Sequence, residues 1–433
     1  MNKYYALLLC ILTPLCAAAQ TDWKAITRHD KQAAKAELTQ RLTRYAALET
    51  QSSKGKTAFA KSLAKELKRI GAQNVKTDKN GLVTAEIAAS STSSFPSVAL
   101  VAYFGAPAVP SALNVKPQVH TKYKGGDIAV SKDKNLYIRE QENTQLLEAR
   151  GHDLVTASGG TLLGADGKAG ISVILTLADI LLGHPSIAHG PVKLAFLPAY
   201  GPENATYAPA VKALSADYAY VLDGSNLGEI TDENFSGKSF SAVFNGKRNT
   251  DTGNAMYSDF SDNLLMASDF HALLPRHRRP ETTALRRGFI WVNALETQGN
   301  QTTVLGEIRA FDDAEMAELT AAVEQAFRTV QSLNPKRAGA ELSFQEQFQN
   351  AKNALPASLL SATEKALRAE DMQPKFVFKR GANTAGALTA SGLPALGIFS
   401  GAFHPGSETE YSDADVMEAS LRTLLTALST RSE

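Results

Sequence analysis

Thr161-Leu162-Leu163-Gly164-Ala165-Asp166-Gly167-Lys168-Ala169-Gly170 runs directly into Ile171, Ile174, Leu175, Ala178, Leu181 and Leu182, which line one face of a helix that stops at Gly183. Gly159-Gly160 and Gly164 break the chain just before it. A phosphate-binding P-loop needs glycine five residues before the Gly-Lys pair and Ser or Thr after it. Leu162 and Ala169 stand there instead, so that reading fails. What remains is a carboxylate, Asp166, held on a glycine-flanked turn at a helix start. Such a group either caps the helix or is aimed at a cation, and spacing alone favours the cap.

Outward from this segment, helix and buried strand alternate. Helical spacing covers Asp30 to Thr50, and a second helix runs from about Thr57 to Ile70 and ends at Gly71. Leu82–Ala88, Ser97–Phe104, Val192–Pro198 and Tyr218–Leu222 are short apolar runs, the pattern of strands covered on both faces. This predicts an α/β sandwich of three layers around a largely parallel sheet. After Gly228 the texture changes. Phe240–Phe244, Phe289–Val292 and Thr303–Phe311 read as strands with one solvated face, accompanied by helices near Ser261–Leu274 and Asp312–Leu333. The alternation resumes after Lys336, and a last helix is expected from Ser412, with Asp415 three residues on. The predicted organisation is an α/β domain of residues 24–231 and 336–433 interrupted by a smaller α+β lid of residues 232–335.

The chain has 433 residues, enough for two cores, and a formal net charge of +1, which gives no bulk attraction to nucleic acid or anionic lipid. Lys3, the apolar run Ala6–Leu15 and Ala17-Ala18-Ala19 form a secretory signal peptide, residues 1–19, with Gln20 as the expected first residue of the mature chain. That run is too short to span a bilayer. The expected location is therefore periplasmic or secreted, with no membrane span. Lipidation at Cys16 ranks second, since Leu15 before it is not small. Both cysteines, Cys10 and Cys16, fall in this segment, so the mature chain has no disulfide, thiolate metal site or cysteine nucleophile.

Gly164-Ala165-Asp166-Gly167-Lys168-Ala169-Gly170 resembles the metal-bridging segment of the peptidase T family, co-catalytic zinc tripeptide aminopeptidases. The likeness continues in order through Leu48-Glu49-Thr50-Gln51-Ser52, Tyr123-Lys124-Gly125-Gly126-Asp127, Val221-Leu222-Asp223-Gly224, Pro280-Glu281-Thr282-Thr283, Arg309-Ala310-Phe311-Asp312, Gly392-Leu393-Pro394 and Phe399-Ser400-Gly401. It covers the chain from about residue 30 to the end. The resemblance implies a site of two zinc ions bridged by an Asp, matched by Asp166, with a further Asp ligand at Asp223 and a His ligand at His404. It also implies a cis peptide bond between Asp166 and Gly167, convergence of these three residues in one cleft beside Tyr103 and Tyr200, and substrate contacts from Arg309 and Arg380.

The remaining family positions do not match. The His-x-Asp after the second core strand falls on Tyr103-Phe104-Gly105, and the Glu-Glu pair, general base then ligand, falls on Tyr200-Gly201. Glu203 lies two residues beyond, too far along the turn to take over. A phenol is a poor zinc ligand near neutral pH and glycine is none. The lid's His-Pro-Gly falls near Asn249-Thr250-Asp251, without its His. His120 and His152 are the loose candidates for a replacement ligand. Ser225, Ser400 and Ser407 lack a nucleophile-elbow setting. Three readings follow: an exported homologue with impaired or no catalysis that binds a peptide or small molecule, zinc being weakly held or absent; an active zinc aminopeptidase with a rearranged site; or another hydrolysis in the same cleft. The oligomer the resemblance allows is a homodimer through the lid.

Overall fold

The computed structural model describes residues 22–90, 95–247, 253 and 259–430. The expected signal peptide and the Asn249-Thr250-Asp251 segment lie outside these residues. The first unit carries an eight-stranded sheet. Its strands are β1 (Gln73–Thr77), β2 (Val83–Ile87), β3 (Val98–Tyr103), β4 (Val192–Leu197), β5 (Tyr218–Gly224) and β6 (Glu229–Asn234). The second half of the chain adds two more, numbered below as β11 and β12. Between them comes the second unit, with β7 (Ser236–Asn245), β8 (Phe289–Gln298), β9 (Gln301–Ala310) and β10 (Gly339–Phe348), after which β11 (Lys375–Lys379) and β12 (Ala395–Phe399) return to the first sheet. The order in the first sheet is β1-β2-β4-β3-β5-β12-β6-β11. Its four central strands, β4-β3-β5-β12, are parallel.

Helices cover both faces. On one lie α1 (Lys31–Ala46), α2 (Ser53–Ile70), α3 (Lys168–Gly183), α6 (Ala357–Ala369) and α8 (Ala414–Ser429). Strand alternation sends Leu100 and Ala102 of β3 to that side, and Ala99, Val101 and Tyr103 to the other, against Val211 and α7 (Thr384–Ala390). Tyr103 thus ends β3 at the carboxyl edge of the sheet, where parallel α/β sheets place ligands. The second sheet, in the order β8-β9-β7-β10, is antiparallel and packs on α4 (Asn263–Leu273) and α5 (Asp313–Leu333).

The expected strands and helices are present with shifted ends. α2 begins one turn early, at Ser53, because Ser52 caps it through Gly55 N, and it stops at Gly71 with φ 95. The last helix is capped by Asp413, whose carboxylate accepts from Asp415 N and Val416 N; Ser412 instead donates to Gly401 O. β10 pairs with β7, so the return to the first unit comes after Phe348 and not at Lys336.

One buried ion cluster ties the first two long helices together. Glu66 of α2 accepts from the Tyr45 hydroxyl at 2.5 Å, pairs with Arg44, and lies 3.2 Å from Arg41, itself 2% exposed. Burial alone would raise the Glu66 carboxyl, but the Tyr45 and arginine contacts outweigh it and hold it below its ordinary range. A carboxyl held down in the folded state contributes stability that is complete above its unfolded pKa of about 4.3 and is lost as pH falls through the folded value. We expect Glu66→Ala to cost about 1–3 kcal/mol at neutral pH, because it leaves the buried Tyr45 hydroxyl without its acceptor and takes one carboxylate from Arg41, which keeps Asp179 and Glu37. Thermal melts between pH 6 and pH 3 should show an acid loss of stability in the parent chain that is smaller in Glu66→Gln.

Candidate active site

Three short segments meet where β3, β4 and β5 end. Asp166 hangs from the turn before α3, at whose start Gly167 takes φ 76, ψ −39. Only glycine fits there: an added Cβ would meet the Tyr103 carbonyl at 2.2 Å and its ring at 2.6 Å. The Tyr103 hydroxyl donates to Asp166 Oδ1 at 2.6 Å, and Tyr200 stands close enough that, after burial, the charge of the same carboxylate raises its phenol. The two phenol rings meet edge to face, 6.1 Å apart at 75°. Glu410 grips the turn from behind, with Oε2 accepting from Gly164 N at 2.7 Å and Oε1 from Asp166 N at 2.8 Å. So Asp166 does not cap the helix; it is a presented carboxylate bound by the Tyr103 phenol.

Burial dominates the electrostatics. It pushes the Asp166 carboxyl up against the opposing Tyr103 hydrogen bond and Lys379, and the Asp223 carboxyl up to about 6, again opposed by Lys379. Glu410 is pushed up to about 7 by burial and then by the charge of Asp166. Tyr103 is raised well above its ordinary value by burial and then by the neighbouring Asp166, and Tyr200 up to about 12. Both phenols therefore stay protonated at neutral pH, and Tyr103 is the donor to Asp166. Asp223 Oδ1 has no hydrogen-bond partner among the described residues and faces the strands, 3.1 Å from where a Cβ on Gly397 would stand.

The other predicted residues fall differently. The loop of His404 comes close, since a Cβ on Gly406 would lie 3.4 Å from the Tyr200 hydroxyl. The His404 ring, however, sits edge-on to Tyr411 at 5.7 Å and 3.4 Å from Thr409 Oγ1, on a residue with φ 52. Among the described residues the one His/Asp/Glu trio with donor atoms within 4.8 Å of one another is His152, Asp413 and Asp415, not Asp166, Asp223 and His404. One member of that trio, Asp415, already pairs with a cation, Lys35 Nζ at 3.1 Å, which also lies 3.4 Å from Asp153 outside the trio. His120 bonds Thr156. Ser400 and Ser407 donate to the carbonyls of Gly224 and His404. The Asp166–Gly167 bond is trans, the cis bond among the described residues being Val109–Pro110; the positive φ of Gly167 already aims the carboxylate. Arg380 does not face the cleft: it donates to Thr283 O, Thr283 Oγ1 and Arg287 O of the second unit. Arg309 lines a groove of about 640 Å³ between the units, with its fork turned on Glu307 at 3.1 and 2.7 Å. Glu203 lines a separate cavity of about 500 Å³.

These residues do not fit a two-metal centre. Asp166 Oδ1 is occupied by the Tyr103 hydrogen bond. Gly105 is closed by backbone, for a Cβ there would meet the Ala199 carbonyl oxygen at 2.2 Å. At Gly201 there is room, but φ is 58, a backbone that a Glu side chain disfavours. Glu410 and Lys379 are the site residues that the sequence reading missed. Nothing in Ser407-Glu408-Thr409-Glu410 distinguishes the exposed Glu from the buried one, and Lys379 stood out only as the neighbour of Arg380.

The fold is that of known two-unit metallopeptidases. Aminopeptidase PepT from Bacillus cereus superposes with a TM-score of 0.71 at 16% identity, covering 91% of this chain and 98% of that one. A tripeptidase from Staphylococcus aureus gives 0.69 at 16%, with 91% and 98% covered. A dinuclear metal-binding peptidase from Bacillus subtilis gives 0.61 at 12%, with 92% and 98% covered. No family model matches the chain. At the level of sequence it is 31% identical over 378 residues to peptidase T of Caldanaerobacter subterraneus, 86% of this chain and 91% of that protein. It is 31% identical over 397 residues to peptidase T of Listeria monocytogenes, with 87% and 94% covered. The chain belongs to the peptidase T family.

The closure at residue 105 is directly testable. Gly105→Asp should destabilise the chain by at least about 2 kcal/mol in denaturant unfolding, since the new side chain must displace the Ala199 backbone. It should confer no gain in zinc affinity, read by calorimetric titration. A stable variant that binds zinc tightly would show that the 105 position is open.

Proposed function

We propose that this chain is an exported member of the peptidase T family that binds peptide in the family cleft without hydrolysing it. The observation that carries the reading is the Tyr103–Asp166 hydrogen bond at 2.6 Å, made where the family places a metal-bridging carboxylate. Zinc prefers three or four thiolate, imidazole or carboxylate donors. Here two donor positions are phenols with raised pKa values or glycine, and the His404 ring is turned onto Tyr411. At residue 200, where the family's general base falls, stands a phenol that stays protonated. The cleft therefore lacks a group to take a proton from an attacking water, an action typically worth about 100- to 10,000-fold in rate.

Bound zinc would supply a polarised water and a Lewis acid; this chain's residues supply neither its ligand set nor its base. What they supply is a carboxyl and phenol cluster joined by the Tyr103–Asp166 bond, and a groove lined by Lys238, Glu307, Arg309, Gln347, Phe348 and small residues. No helix among the described residues is long and apolar enough to cross a membrane. The proposed export rests on the first nineteen residues alone.

Protein purified from the exported fraction should begin at Gln20. Incubated with zinc and trialanine, it should give no tripeptide hydrolysis above a zinc-only control, while trialanine binding remains measurable by calorimetry. Hydrolysis that is abolished both by chelator and by Asp166→Ala would establish instead an active enzyme with a rearranged site.

A further inference from the structure

The chain passes between its two units at Phe235 and again at Gln349–Asn350, and both crossings are bound to each other. Asn234, 1% exposed, donates through Nδ2 to Gln349 O at 2.9 Å and accepts at Oδ1 from Ala351 N at 3.0 Å. Beside it Glu233, 2% exposed, pairs with Arg286 of the second unit at 2.6 Å and with Lys352. A hinge built from two free strands would leave these groups in water.

Four phenylalanines fill the space between. Phe235 lies parallel to Phe378 of β11, with centroids 6.5 Å apart and planes at 6°, and meets Phe311 at 5.8 Å and Phe289 at 6.5 Å. Three arginines close over these rings. Arg286 lies 4.6 Å from the Phe311 centroid and 4.8 Å from that of Phe378. Arg380 lies 5.5 Å from Phe235 and 5.3 Å from Phe289, and its three hydrogen bonds reach into the turn of Thr283 to Arg287. Arg309 lies 5.8 Å from Phe289 and donates to Arg380 O at 3.4 Å. Each guanidinium thus stacks on the rings and bonds or pairs in the same place, which a planar fork can do and an ammonium cannot.

We propose that this arginine–phenylalanine clasp fixes the two units at one opening, so that the groove of about 640 Å³ between them is pre-formed and does not close on its occupant. The two arginines that the family resemblance assigns to substrate are then positioning residues: Arg380 sets where the second unit sits, and Arg309 braces it. The inference does not depend on what the groove binds or on whether the cleft is catalytic.

The mature chain contains no cysteine, because Cys10 and Cys16 both precede Gln20. Spin labels can therefore be placed by Lys61→Cys on α2 and Gln325→Cys on α5, two exposed positions on different units. Pulsed electron–electron resonance should give one narrow distance distribution, unchanged by millimolar trialanine. Adding Arg286→Lys and Arg380→Lys keeps both charges and removes both forks. That variant should broaden the distribution or add a second distance, with its far-ultraviolet circular dichroism unchanged. Arg380→Lys alone is read in the same way, so that the outcome does not hang on one variant folding. A broad or two-distance distribution in the parent chain, a shift with trialanine, or lysine variants indistinguishable from the parent would overturn the proposal.

Discussion

The hydrogen bond from the Tyr103 hydroxyl to Asp166 is the contact around which the cleft is arranged. Asp166 is forced to face inward by the turn at Gly167, and burial makes its charge expensive. Something must offset that cost. In two-metal peptidases the ions do so; here the Tyr103 hydroxyl donates to the carboxylate and the charge of Lys379 acts on it. The phenols stay protonated because the same burial raises them. Gly105 lets the Ala199 carbonyl pack close against β3's exit, which leaves no space for a returning side chain.

Much of this was legible in the sequence. The buried strands announced themselves as continuous apolar runs, and α3 by its periodic face. That Tyr103-Phe104-Gly105 offers no group suited to hold zinc or move a proton was plain in the sequence, because residue type is recorded there. β10 was assigned to the wrong unit, although Leu342 and Phe344 alternate with polar residues as in the other half-solvated strands of the second sheet. Periodicity showed a strand but not its partner, since pairing with β7 is a long-range contact.

The misreadings at the site have a similar cause. Arg309 and Arg380 do not point into the cleft as the resemblance implied, and their direction is set by rings from residues 235, 289, 311 and 378 that no local window contains. His404 keeps its place, while its ring is set by Tyr411 and Thr409. Glu410 was invisible because a buried carboxylate holding two backbone N–H groups looks, in sequence, like any surface Glu. Residue identity thus recorded which groups stand at the site, and only three-dimensional packing records what they bind.

The central claim is that hydrogen bonds to Asp166 stand where a metal would. A calorimetric zinc titration of the mature chain, run in parallel on Asp166→Asn, tests it most directly. The account predicts that neither protein binds zinc stoichiometrically and that the two isotherms are alike. Tight stoichiometric zinc binding by the parent chain, lost in Asp166→Asn, would contradict it.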